Sequence, residues 1–306
     1  MSPFSPWAAA LAGFRLVRER PLAVLAWAAV LFAGRLTSDA LLVQLAGVPM
    51  AGLKVVLNAD PINMQDFSTA MVKAAPGFLA AAVAGLPFFA VVAGAIFRAY
   101  LRPAESRWGY LRLGLSEAAV LGLIVAINLV LAGGSFFVTA LFGTLAALAG
   151  TADPAAAAAI QVLGMIAVLV VSVWLLTRLC LAWPMTFQAR RVVLLRAWAP
   201  TKPFLWPILG AFVTAEMLMV LVGALLMFFF EHVNDAVFVM NGGTVAQAMN
   251  AVQQPTTLEG VFTPLQMAVA AFIALFLALA GATLQGVAVS AYHSLAPPDV
   301  REPPAV

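Results

Sequence analysis

Three polar side chains stand inside otherwise apolar segments of this chain, where their residue types could do chemistry. Glu216 lies 13 residues after Pro203, which is about 20 Å along a helix. Asn128 and Gln285 lie at similar depths in two other apolar segments. Because an ionisable group near a bilayer centre costs roughly 2.5–3.5 kcal/mol, such residues need an explanation. Two hypotheses stay open: a proton- or cation-linked site, and a hydrogen-bonded clasp between helices, of which we favour the clasp.

A second group of candidate residues consists of arginines near the ends of the apolar segments. Arginine interleaved with tryptophan and leucine is typical of helices that lie in the headgroup layer and bind anionic lipid. We therefore predict lipid-headgroup contacts for Arg98, Arg107, Arg112, Arg178, Arg190, Arg191 and Arg196. The alternative is that these segments only anchor and connect the membrane helices.

Three segments are predicted to form these interfacial helices. Residues 106–117 and 187–198 combine apolar side chains with arginines, and residues 4–14 carry an apolar stripe. In residues 106–117, Trp108 and Leu111 lie three residues apart, which puts them on one face of a helix. The sequence therefore predicts amphipathic helices beside the membrane spans.

Other charged side chains are predicted to form ion pairs. Arg35 and Asp39 are four residues apart, so they share one face of a helix and can pair. Arg98 and Arg178 occupy matching places before closing prolines, and Glu117 is the natural partner for one of them. We expect these pairs to be structural.

The motifs of familiar enzyme classes are absent from the sequence. It contains no Walker loop, no dinucleotide-binding fingerprint, no HExxH and no GxSxG. The two histidines, His232 and His293, belong to segments predicted at opposite membrane faces, and Cys180 is the only cysteine. We therefore predict a non-enzymatic protein with no catalytic residues, no metal, no cofactor and no nucleic-acid partner.

The composition places these residues in an integral membrane protein. Hydrophobic residues make up 64% of the 306 residues and charged residues 9%, whereas soluble domains carry about 25% charged residues. Apolar runs of roughly 20 residues are long enough to cross a bilayer as helices. The predicted spans are Pro21–Leu42, Pro76–Tyr100, Ala118–Ala149, Ile160–Trp183, Phe204–Phe230 and Pro264–Tyr292.

The distribution of basic residues predicts the orientation. Thirteen of the 16 lysines and arginines fall on the side of both termini, Lys54 and Lys73 fall on the other, and Arg35 lies within the first span. Cytoplasmic loops carry the excess of basic residues. The sequence therefore predicts a multi-pass membrane protein with both termini in the cytoplasm.

The chain also reads as three related hairpins in a single membrane domain. The closing phrases FRAYLRP, TRLCLAWP and SAYHSLAP end repeats of about 1–103, 104–184 and 185–297, and a proline-rich tail covers 297–306. The fold class is thus predicted as all-α, with six transmembrane helices in three pseudo-repeated hairpins and cytoplasmic amphipathic interfacial helices.

Two local features have alternative interpretations. Residues 43–75 are predicted as a loop. Its apolar part, residues 51–56, either dips into the membrane or forms a surface helix, and we favour the surface helix. Gly133 and Gly134 interrupt the third span with small residues. They indicate either a broken helix, as in transporters, or a kink in a long one, which we favour.

The segment RLCLAWPMTFQARRVVLLRAWAPTKPFLWPILGAF resembles a bacterial membrane family that includes the YciC-like proteins and the membrane domain fused to some glycerophosphodiester phosphodiesterases. The resemblance is carried by Arg178, Pro184, Ala197-Trp198 and Thr201, and the stretch LRPAESRWGYLRLGLSEA is also similar. It implies a six-helix inner-membrane protein. No phosphodiesterase domain is present, so that activity is not implied.

These observations lead to one functional hypothesis and two alternatives. The first is envelope or lipid handling, in which basic interfacial helices bind anionic membrane lipids. The second is a small-solute or proton-coupled transporter that uses Glu216. The third is an accessory subunit of a larger complex, with a protein partner or a second copy of the chain.

Overall fold

The computed structural model describes residues 4–57, 64–151, 153–240 and 255–295. All regular secondary structure in these ranges is helical. The α-helices are α1 (Pro6–Ala10), α2 (Ala12–Glu19), α3 (Pro21–Leu57), α4 (Met64–Leu101), α5 (Leu115–Gly150), α6 (Pro154–Arg178), α7 (Ala182–Ala189), α8 (Trp198–Thr201), α9 (Leu205–Met240), α10 (Leu258–Val261) and α11 (Pro264–Leu295). Short 3-10 helices lie at Arg107–Tyr110, Leu195–Ala197 and Lys202–Phe204.

Six of these helices, namely α3, α4, α5, α6, α9 and α11, are long and apolar enough to cross a membrane. Their surfaces remain strongly apolar: on α6, for example, Leu163, Ile166 and Leu169 are all more than half exposed. Exposed apolar surface of this extent needs lipid to cover it. The prediction of an all-helical protein with six helices long and apolar enough to span a membrane is confirmed for the described part of the chain.

The first hairpin is longer than the sequence analysis predicted. Helix α3 continues from Pro21 to Leu57, and α4 begins at Met64, so most of the predicted loop at 43–75 is helical. Leu42, Ala46 and Met50 of α3 are buried against the partner helix, and this packing extends both helices. The segment 51–56 is therefore the end of α3, and the predictions of a re-entrant segment or a separate surface helix were wrong.

Helix α5 runs from Leu115 to Gly150 without interruption. Gly133 and Gly134 lie within it, and a side chain at either position would meet no other atom within 4 Å. A glycine without close neighbours is tolerated in a helix at a cost of about 1 kcal/mol. The alternative of a broken helix at these glycines was wrong, and the favoured kink stays a prediction.

Two of the three predicted interfacial helices are not continuous helices. Within residues 106–117, Trp108, Gly109 and Tyr110 have positive φ angles of 55°, 64° and 67°, which ends any helix. In residues 187–198, α7 ends at Ala189, Arg190 is left-handed, and the following four residues are not helical. The apolar residues in both segments are spaced as in a helix. The segments nevertheless form turns, which are held by specific partners. The N-terminal segment does contain the helices α1 and α2.

The chain divides into two compact units that do not follow the predicted repeats. One comprises the described residues within Met1–Ala12, Leu113–Val213 and Gly286–Val306. The other comprises Gly13–Arg112 and Thr214–Gln285, as far as they are described. The division into three repeats stays a prediction, and the tail at 297–306 lies outside the described residues.

In the unit that contains α3 and α4, these helices pack side by side with part of α11. The core centres on Trp27, which is fully buried among Leu31, Ile96 and Ala278. Helix α2 crosses α11 very closely at Gly13. A β-carbon at Gly13 would overlap Thr283 Cα, so only glycine fits there.

In the other unit, α5 packs against α6 and α7. Val120, Leu123 and Ile127 form the buried side of α5, and the turn after α6 buries Leu179 and Leu181. This turn and α7 carry the chain from a membrane helix to the basic segment at 190–196, which positions the site described next.

Candidate functional site: the arginines

Burial separates the predicted lipid-contact arginines into two groups. Arg98 and Arg178 are only 4% and 8% exposed. The others are exposed: Arg107, Arg112, Arg190, Arg191 and Arg196. Buried guanidinium groups are costly unless they are paired and hydrogen-bonded. The surroundings of the two buried arginines therefore indicate what each one does.

Arg98 clamps a tight turn. Its Nη1 donates a hydrogen bond to the backbone carbonyl of Tyr110, and its Nε lies 3.5 Å from Glu105 Oε2. The carbonyl belongs to the left-handed stretch that begins at Trp108. A non-glycine residue in this conformation costs roughly 1–2 kcal/mol, so such a turn needs support.

Aromatic side chains support the same turn. The indole Nε1 of Trp27 donates a 2.8 Å hydrogen bond to the carbonyl of Gly109, and the Arg20 guanidinium lies 5.0 Å from the centre of the Tyr110 ring. Arg98 therefore acts inside the fold, beneath the surface. The turn engages its guanidinium, and its role as a lipid-headgroup contact stays a prediction.

Arg178 has a different environment, although it holds the matching place in the sequence. Its guanidinium carbon lies 5.2 Å from the Trp198 ring centre and 5.9 Å from that of Trp174. The two indoles meet edge to face, with ring centres 5.2 Å apart. Cation–π contacts of this kind contribute about 0.5–2 kcal/mol each. We call Trp174, Arg178 and Trp198 the Arg178 site.

The charge of Arg178 has no anionic partner in the described part of the chain. Its Nε and Nη1 are buried and form no hydrogen bond, and no carboxylate lies within ion-pair distance. Glu117 is buried at the start of α5, and its predicted ion pair with one of the two arginines stays a prediction. Burial raises the pKa of the nearby Cys180 thiol, which stays neutral at pH 7 and supplies no charge.

Two threonines hold the chain around this site. The Thr201 hydroxyl lies 3.2 Å from the carbonyl oxygen of Arg178 and 3.0 Å from that of Trp198. Thr186 accepts a 3.0 Å hydrogen bond from the backbone N–H of Val193. Both threonines are completely buried. The segment that carries the exposed arginines is thus fastened to α7 at one end and to the end of α6 at the other.

The exposed arginines lie beside exposed apolar side chains. Arg190, Arg191 and Arg196 form no ion pair in the described part of the chain, and Leu195 between them is 82% exposed. In the other unit, Arg107 is also unpaired and precedes Trp108, which is 84% exposed.

Arg112 differs from these arginines, because its Nη1 lies 3.1 Å from Glu105 Oε2. The four other exposed arginines have no such partner in the described part of the chain. Unpaired arginine next to exposed leucine or tryptophan matches the chemistry of a membrane interface.

The three intramembrane polar residues have different surroundings. Asn128 donates a 2.9 Å hydrogen bond to the carbonyl of Ile124 within its own helix. Glu216 is exposed on α9, whereas the side-chain oxygen of Gln285 is buried without a hydrogen-bond partner among the described residues. Glu216 and Gln285 share no hydrogen bond there. The transport hypothesis has therefore lost the helix break on which it partly rested.

Arg35 and Asp39 form the ion pair that their spacing indicated. Arg35 Nε lies 2.6 Å from Asp39 Oδ2. The pair borders a cavity of about 260 Å³ between α3 and α4, whose lining also includes Gly34 and Gly85. Because the two charges neutralise each other, this cavity presents no unmet charge to a ligand.

Sequence reasoning missed two residues of these sites. Trp174 lies four residues before Arg178 on α6 and contacts it. This spacing places two side chains on one helix face, so the contact could have been predicted from the sequence. Trp27 donates to Gly109 across 82 residues, and no local pattern could reveal that contact. Among the described residues, no group of three or more His, Cys, Asp or Glu side chains is placed to hold a metal ion.

Comparison of the chain with protein-family models, with curated proteins and with solved structures finds no match. The resemblance to the YciC-like family therefore stays a prediction. Function has to be inferred from the arginines and their surroundings.

Proposed function

We propose that this protein is a non-enzymatic inner-membrane protein that handles lipid by binding anionic headgroups. The observation that carries the proposal is the segment 190–196. Its three exposed arginines have no ion-pair partner in the described part of the chain, and Leu195 beside them is almost fully exposed. Each basic residue near an anionic surface contributes about 1 kcal/mol to lipid attraction, and the apolar side chains add insertion into the acyl boundary.

The topology supports the same proposal. Segment 190–196 follows directly after the membrane helix α6 and the short helix α7, so it lies where headgroups begin. The excess of lysine and arginine in the segments between spans favours a cytoplasmic location for this segment and for both termini. The resemblance of residues 178–212 to the YciC-like family is consistent with an inner-membrane location.

Reversing the three charges tests the proposal. In membranes that contain spin-labelled phosphatidylglycerol or phosphatidylcholine, we expect the wild-type protein to associate preferentially with phosphatidylglycerol. In the variant R190E/R191E/R196E, the ratio of phosphatidylglycerol to phosphatidylcholine association should fall at least about fivefold, because attraction becomes repulsion. Raising the salt to about 1 M should also weaken the wild-type preference, since the Debye length falls to about 3 Å.

The matched control is R190K/R191K/R196K, which keeps the charge at the same positions. It should retain most of the preference. An unchanged preference in the folded R190E/R191E/R196E protein would count decisively against the proposal.

A further inference from the structure

The Arg178 site has an unmet requirement for negative charge. The Arg178 guanidinium is more than nine-tenths buried, and Nε and Nη1 have no hydrogen-bond partner in the described part of the chain. Indole rings attract the cation but cannot accept its in-plane N–H bonds. Buried polar groups without a partner are rare in folded proteins, so each one needs an explanation, and an ion that binds there is one such explanation.

The position of Arg178 indicates which anions are within reach. Helix α6 has 25 residues from Pro154 to Arg178, so it is about 36 Å long. The hydrocarbon core of a bilayer is about 30 Å thick, and the polar layers bring the total to about 40–45 Å. A helix that crosses the core therefore places Arg178, its last residue, at the depth of the headgroups, where phosphate is the abundant anion.

The chemistry of the side chain favours the same group. A guanidinium presents five N–H donors in a plane and can bind a phosphate through two of them at once. The two tryptophans flank the charge, and tryptophan is enriched at the level of the headgroups. We propose that Arg178, between Trp174 and Trp198, binds one phosphate group, which is either the phosphodiester of a lipid headgroup or free phosphate.

Access to the site involves Trp198. The two unpaired nitrogens are buried, so an anion reaches them only when a neighbouring side chain moves. Trp174 belongs to the long helix α6, whereas Trp198 begins α8, which has only four residues. The Thr201 hydroxyl holds the carbonyl of Trp198, so access comes from rotation of the Trp198 indole and not from movement of the chain.

Titration of the full-length protein in a neutral detergent tests the site. The probes are dihexanoyl phosphatidylglycerol and inorganic phosphate, and calorimetry measures the affinity and the stoichiometry. We expect one phosphate-bearing ligand per chain, with binding weakened at least about tenfold in Arg178→Gln, because a charge-assisted hydrogen bond contributes roughly 1.5–3 kcal/mol. If the lipid binds more tightly, the ligand is a headgroup; equal affinities identify free phosphate.

Three controls make the result interpretable. Lys202→Gln removes an exposed cation from the 3-10 helix Lys202–Phe204 and should leave the stoichiometric site intact. Arg178→Lys keeps the charge but loses the planar donors, so it should also bind more weakly, and it serves if Arg178→Gln does not fold. The third control is thermal unfolding of the wild-type protein, in which the bound ligand should raise the midpoint temperature.

Two results would overturn the site: equal affinity in wild type and Arg178→Gln, or no saturable binding of either probe by the wild type. The inference rests on the proposed lipid handling, but the two fail differently. R190E/R191E/R196E should lose the general preference for anionic lipid and keep the Arg178 site. If that preference persists in R190E/R191E/R196E while binding depends on Arg178, the proposed function fails and the site stands.

Discussion

Arg98→Ala is expected to destabilise the protein by roughly 2–4 kcal/mol, because it removes a buried clamp. The carbonyl of Tyr110 would lose its charged donor, and Glu105 would lose one of its two arginine neighbours. The left-handed turn at Trp108–Tyr110 would then be held only by Trp27 and weaker contacts. The measurement is thermal or denaturant unfolding in detergent, followed by tryptophan fluorescence.

Arg107→Ala provides the comparison for this prediction. Arg107 lies close to the same turn but is exposed and unpaired, so its loss should change stability by less than about 0.5 kcal/mol. Similar stabilities for the two variants would mean that Arg98 does not hold the turn. A stable Arg98→Ala protein with reduced lipid preference would restore its original assignment as a headgroup contact.

Gly13→Ala is expected to cost about 1–3 kcal/mol or more, since it inserts an atom where two helices touch. The new β-carbon would overlap Thr283 Cα and lie 2.6 Å from Thr283 N. These are backbone atoms of a long membrane helix and cannot rotate away, so α2 must move off α11. Size-exclusion fluorescence after heating would report the loss as a lower midpoint temperature.

Gly143→Ala makes the same chemical change in a place with free space. Gly143 lies in α5, and a β-carbon there would meet no atom within 4 Å. Because alanine is the better helix former, this variant should be as stable as wild type or slightly more so. Equal midpoints for Gly13→Ala and Gly143→Ala would show that α2 does not pack on α11 in the folded protein.

Much of the membrane architecture could be predicted from the sequence, because apolar length directly reports the bilayer requirement. The six spans follow from this principle. The lengths of α3 and α4 did not, since their extensions are stabilised by packing at residues such as Ala46 and Leu53 rather than by an apolar run alone. The turn at Trp108–Tyr110 also escaped prediction, because its supports, Trp27 and Arg98, are distant in the chain.

The candidate site was predicted in its residue types but not in its roles. Arg98 and Arg178 look equivalent in the sequence, and both were assigned to lipid. The difference depends on what surrounds each guanidinium: a carbonyl and a carboxylate at Arg98, and two indoles without an acceptor at Arg178. Such surroundings are set by tertiary packing, which residue spacing does not report.

Native mass spectrometry of the wild-type protein, extracted gently from its own membrane, tests the central claim most directly. Unpaired arginines at headgroup depth predict that a phosphate-bearing lipid stays bound, at one molecule per chain for the most tightly held species. Recovery of the chain without lipid, or with a protein partner in its place at fixed stoichiometry, would contradict a lipid-handling role.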